Sequence, residues 1–121
     1  MAYDIDFAER LEALVGRDFA ATGLLQRTTM FGGLGFLLDN KMCIHVFGDH
    51  LVLRVGLKNA VKLLELEHIE EMIHRKRPMA GWISIDTASD IDDGMISDYC
   101  ALAVNFVMTL PIKKKKPKST A

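Results

Sequence analysis

Cys43 and His45 stand two positions apart on what reads as one strand, so a thiol and an imidazole share a face. That is half of a transition-metal site. A structural zinc centre takes four ligands, and no second Cys/His pair has a suitable spacing, so His50, His68 and His74 could join only through folding. The competing account is a buried cysteine behaving as a small apolar side chain beside a partly buried histidine. Asp86, Asp90, Asp92 and Asp93 invite a calcium site, but they lack the EF-hand register and its closing glutamate; helix capping and dipole complementarity account for the same acids. Ser84, Ser89 and Ser97 show no Ser–His–Asp logic. The expectation is a protein that is not an enzyme, with no catalytic residue, no cofactor and no metal.

Gly32-Gly33-Leu34-Gly35 resembles a phosphate cradle only superficially. A dinucleotide fingerprint lies between a strand and the start of a helix, whereas this run precedes a strand. A bulge or tight corner, where positive φ or close backbone approach is needed, is the simpler role. A cleft near Met30 to Gly35 would be the place for a small ligand or a reaction. Arg75-Lys76-Arg77 is the one basic patch in the body, without interleaved aromatics and close to Glu65, Glu67, Glu70 and Glu71. Trp82, the lone tryptophan, either packs on the last helix or anchors an interface.

The elements that would position these groups follow from periodicity. Phe7, Leu11, Leu14, Val15 and Phe19 form a stripe on a helix over residues 4–22, with Asp4 or Asp6 as N-cap and Gly23 at its C-terminal end. Leu34–Leu38, Lys41–Phe47 and His50–Val55 form a meander joined by Asp39-Asn40 and Gly48-Asp49, both suited to two-residue hairpins. Strict alternation would place Met42, Ile44 and Val46 on one face, and Cys43, His45 and Phe47 on the other. A short helix over 57–66 buries Ala60, Val61 and Leu64. Residues 69–74 form a polar edge strand, 81–86 a strand, and 95–110 a final amphipathic helix ended by Pro111. The predicted fold is an α+β two-layer sandwich, in the order α-β-β-β-α-β-β-α, with an antiparallel sheet covered by helices on one side.

The 121 residues suit one domain, which can bury a core without disulfides or metal. Two distant cysteines and no visible signal peptide predict a cytoplasmic protein with reduced thiols. No apolar run is long enough for a membrane span. All 16 acids but only ten of the 15 Lys and Arg precede residue 111, which leaves the body at −6 and the remainder at +5. A body of that charge repels phosphate backbones, so nucleic-acid contact would rest weakly on Arg75, Lys76, Arg77 and the lysines Lys113, Lys114, Lys115 and Lys116. The predicted domain covers residues 1–111, followed by a disordered lysine-rich tail over 112–121.

Met30-Phe31-Gly32-Gly33-Leu34-Gly35-Phe36, then Met42, Leu53-Arg54-Val55-Gly56, and Arg77-Pro78-Met79-Ala80-Gly81-Trp82 together resemble the TfoX N-terminal domain family, over about Phe7 to Pro111. The family resembles the amino-terminal half of TfoX (Sxy), a bacterial regulator of natural competence that works with the cyclic-AMP receptor protein. The resemblance implies a secretion-chaperone-like α+β shape, often dimeric, in stand-alone members without established enzymatic activity. It implies a regulatory or adaptor role through protein–protein contacts, with an unidentified regulatory protein as partner and a homodimer as the assembly. The charged segment from Glu67 to Lys76 and the lysine tail stand apart from the family pattern.

Overall fold

The structure, a computed structural model, describes residues 3–19, 25–30 and 32–110. Its order is α1 (Ile5–Phe19), β1 (Leu25–Met30), β2 (Gly33–Leu38), β3 (Lys41–Phe47), β4 (His50–Arg54), α2 (Leu57–Leu63), β5 (Ile69–His74), β6 (Arg77–Asp86) and α3 (Asp93–Met108). The six strands form one antiparallel sheet in the order β1-β2-β3-β4-β6-β5. The α+β class, the antiparallel sheet and the helix-covered face are as predicted. One strand, β1, is additional. Met30 pairs with Gly33 across two residues, the second being Gly32 at φ 72°, so the glycine corner closes a hairpin that begins upstream of it.

The core is built in rows across the sheet. Leu34, Val46, Leu51, Ile85 and Ile69 are successive cross-strand neighbours from β2 to β5, and all are buried. The parallel row Phe36, Ile44, Leu53 and Ile83 lies beside them on the same face. Onto these rows pack Phe7, Leu11, Leu14 and Val15 of α1, Ala60 of α2, and Ile96, Cys100, Ala103, Val104 and Val107 of α3, as a single cluster. Burying aliphatic side chains of this size is worth about 1.5–3 kcal/mol each, which is what holds the helices to one side.

Asp4 ties the start of α1 to the sheet. Its carboxylate accepts from the Phe7 amide at 3.0 Å, the predicted cap, and from the Thr87 hydroxyl at 2.9 Å, while its own amide donates to the Gly48 carbonyl at 2.8 Å. The hairpin turns match their residues. Asp39 and Asn40 both take positive φ, 52° and 64°, whereas at Gly48-Asp49 only the glycine does, at 55°.

Several details differ from the sequence expectations. The described part of α1 ends at Phe19, and Gly23 lies outside the described residues, as do the tail and its lysines. α2 stops at Leu63, and Val61 is 59% exposed because α2 turns only its Ala60 side to the core. β6 begins at Arg77 and runs ten residues, longer than the predicted strand. A bulge in β3 overturns the predicted alternation. The register passes from Phe36↔Ile44 to Leu37↔Met42, so Cys43 is the extra residue. Cys43 therefore joins Ile44 and Val46 in the core, and Met42 goes to the opposite face with His45 and Phe47.

Candidate interaction surface

The face of the sheet away from the helices carries the second set of rows. Thr28, Gly35, His45, Val52, Ser84 and Glu70 are successive neighbours across all six strands. Val52 is buried yet lies outside the helix-facing cluster. Around it opens a hollow of about 470 Å³ lined by Met42, His45, Phe47, Val52, Met72, Met79 and Trp82. Volume and lining fall in the range of small-molecule sites.

Two irregularities shape this hollow. The β3 bulge delivers Met42, as described. Between β5 and β6 the register moves from Glu71↔Ile83 to Ile73↔Pro78, so β6 accommodates extra residues between Pro78 and Ile83. Gly81 stands in that irregularity at φ 87°, and its carbonyl accepts from both the Val55 and Gly56 amides at 3.0 Å. The distortion brings Met79 and Trp82, three residues apart, to the same hollow.

The glycine motif serves the same surface. The His45 imidazole is stacked on Phe47, with ring centroids 5.3 Å apart, and lies over β2. A Cβ on Gly35 would stand 2.9 Å from Met42 Sδ and 3.2 Å from His45 Cδ2, and one on Gly33 would stand 3.0 Å from His45 Nε2. The missing side chains are thus replaced by those of β3. Of the other motif residues, Phe36 is core, Arg77 and Pro78 are exposed at the start of β6, and Phe31 lies outside the described residues. Trp82 is turned to the helix-free side, partly exposed, with the Arg54 guanidinium 5.7 Å from its ring centroid and 5.9 Å from that of Phe106 on α3.

The groups weighed for chemistry are dispersed. The bulge puts Cys43 on the face opposite His45, so the two do not form half a metal site. Burial pushes the Cys43 thiol up to about 12 and raises that of Cys100 further, which leaves both protonated at neutral pH. Asp92 caps α3 by accepting from the Met95 amide at 2.8 Å; Asp93 pairs with Arg10; Asp86 accepts from the Ala88 amide at 2.8 Å. Among the described residues, no three His, Cys, Asp or Glu side chains gather where they could hold one ion.

One arrangement was invisible in the sequence. Ser84 Oγ lies 3.4 Å from His50 Nδ1, and His50 Nε2 lies 3.2 Å from Asp49 Oδ1. The first distance is at the long end of the hydrogen-bond range, and the serine is buried on the helix-free face of β6.

Met72, Phe47 and Val52 were missed as site residues. Nothing in their local sequence marks them, because the hollow exists only where a bulged β3 and an irregular β5–β6 ribbon adjoin β4. Among the described residues, no helix is long and apolar enough to cross a membrane.

No curated protein and no solved structure matches the chain. The family of the TfoX N-terminal domain matches residues 17–107, from the last turn of α1 to the last turn of α3, a span that holds every strand and the whole hollow. The glycine corner beneath His45 and the Arg77–Trp82 string that opens β6 lie inside this span, and the chain belongs to the TfoX N-terminal domain family.

Proposed function

We propose that this domain is a non-enzymatic regulatory adaptor of the bacterial cytosol, acting by protein–protein contact through the helix-free face of its sheet. The observation that carries this is the hollow itself. Three methionines, Phe47 and Trp82 line it on a face that no helix of the described residues covers. Thioether side chains repack readily around different partners, and tryptophan is enriched among interface hot spots. A photo-crosslinking residue at Met79, compared with one at Ala13 on the exposed side of α1, tests it. Protein adducts are expected at 79 and not at 13. A folded protein that gives no adduct at 79 in its native cytosol removes the proposal.

The same domain is proposed to be a homodimer through β1. This edge strand carries one charged residue, Arg27, already paired with Glu12 at 2.7 Å, whereas the other edge, β5, carries Glu70 and Glu71. Edges without charge are the ones open to strand pairing. Sedimentation equilibrium reads this directly, and a strict monomer at high micromolar concentration removes the dimer.

A second reading is nucleic-acid association, favoured by the exposure of Arg75, Lys76 and Arg77 at one hairpin tip. A gel-shift titration at low salt, with and without residues 112–121, decides it; no shift in either form eliminates it. The reading of a ligand cleft near Met30 to Gly35 finds less support, since His45 and Met42 occupy the space over Gly33 and Gly35.

A further inference from the structure

We propose that the partner seated on this face is an acidic amphipathic segment, with its apolar side chains in the methionine-lined hollow and its carboxylates against the Arg75-Lys76-Arg77 tip. The inference rests on the adaptor reading above and specifies the chemistry of what is bound.

The tip adjoins the hollow. His74 pairs with Arg77 and Ile73 with Pro78, and the next residue on each strand, Met72 and Met79, lines the hollow. Arg77 is two residues from Met79, about 7 Å along the strand. A segment lying in the hollow therefore reaches the three cations within about one or two helical turns.

Those cations are not committed within the fold. Arg10, Arg17 and Arg27 each hold a carboxylate, on Asp93, Asp18 and Glu12. Arg75, Lys76 and Arg77 are exposed, and among the described residues none of them takes part in an ion pair. The acids on this side of the sheet, Glu70, Asp86 and the Asp49 carboxylate beside His50, stand toward the end away from the tip. The surface thus has one basic end, which sets the direction of a bound segment.

The backbone of the tip supplies an independent argument. Arg75 and Lys76 both sit in the left-handed region, at φ 52° and 67°. A two-residue turn of this kind favours Asn-Gly, and the equivalent turn between β2 and β3 uses Asp39-Asn40. Two cations here cost stability that folding alone does not require. Strain retained at an exposed tip beside an apolar hollow is expected of a binding element. Nucleic acid fits the surface less well, because the hollow is apolar and the body carries −6.

The test uses the full chain and the emission of Trp82, its single tryptophan. Two synthetic helical peptides share one apolar stripe of Leu and Phe; one has Glu on its polar face and the other Lys. The Glu peptide is expected to bind saturably and shift Trp82 emission to the blue, the Lys peptide to bind at least about tenfold more weakly. Arg75→Asn with Lys76→Gly, which suits the turn and keeps the fold, should weaken the Glu peptide about tenfold, and Met79→Asp should abolish its binding. Equal binding of the two peptides, or undiminished binding to the turn variant, overturns the proposal. So does a Trp82 shift produced by an oligonucleotide, or by raising the protein concentration without peptide, which assigns the face to nucleic acid or to a second copy. If the Glu peptide fails while position 79 still crosslinks to protein, the acidic chemistry is wrong and the adaptor reading stands; loss of the crosslinks removes both.

Discussion

Gly33 of β2 lies so close to Val46 of β3 that a Cβ at position 33 would run into the Val46 carbonyl oxygen. Gly35, two residues on, meets instead the flexible end of Met42, at 2.9 Å. The two glycines of one motif therefore predict different outcomes. Gly33→Ala must separate paired backbones and should cost about 3 kcal/mol; Gly35→Ala should cost about 1 kcal/mol, because the methionine can swing away. Urea unfolding of both variants measures the difference. Gly35→Ala, by moving Met42, should also alter Trp82 emission or peptide binding more than its stability loss suggests.

The buried thiols of Cys43 and Cys100 should not react with a thiol reagent until the protein unfolds, when both react. Their raised values carry a pH dependence. The native state holds these protons more tightly than the unfolded chain, so their contribution is complete below the ordinary value of 9.0 and is lost as pH rises toward about 12. Stability measured against pH from 8 to 11 should fall, and less steeply in Cys43→Ala once its lower starting stability is subtracted.

Asp4 predicts an acid effect of the opposite sign. Hydrogen bonds from the Phe7 amide and the Thr87 hydroxyl hold its carboxyl below the ordinary 3.8. Its contribution is present above that value and lost as pH falls through the lowered one. Asp4→Ala should cost about 1–2 kcal/mol at neutral pH. Asp4→Asn should differ from the native protein less and less as a urea titration is repeated at decreasing pH.

The turn exchange Arg75→Asn with Lys76→Gly should raise stability by about 1 kcal/mol, because both replacements tolerate positive φ. A melting temperature several degrees higher, alongside weaker peptide binding, would display the exchange of stability for recognition. Val61→Lys should change stability by less than about 0.5 kcal/mol, given its exposure on α2; a larger loss would show a contact made by that side chain.

Legibility tracked the strength of local signals. The stripes of α1 and α3 are wide, so their cores could be named in advance. Asp39-Asn40 and Gly48-Asp49 are turn dipeptides of known hand, so the meander and its order followed. β1 escaped notice because Leu25-Gln26-Arg27-Thr28-Thr29-Met30 has little apolar alternation. As an edge strand it draws its hydrogen bonds from the backbone of β2, and backbone pairing leaves no mark on side-chain choice. Its only cue was Gly32 before the next strand, which reads equally as a corner. The site residues Met79 and Trp82 were named through the family motif, while Met72 and Phe47 carry no cue at all.

Residue pattern alone determined the layered α+β plan, the turns, the apolar stripes of α1 and α3 and the family, since each is written in short-range periodicity or in contiguous motifs. Tertiary structure decided which residues share the free face. One inserted residue at Cys43 reverses the parity of β3, and a shifted register between β5 and β6 gathers side chains from four strands. Strand faces alternate with a period of two, so a single bulge exchanges inside for outside, and that choice is settled by pairing between distant segments.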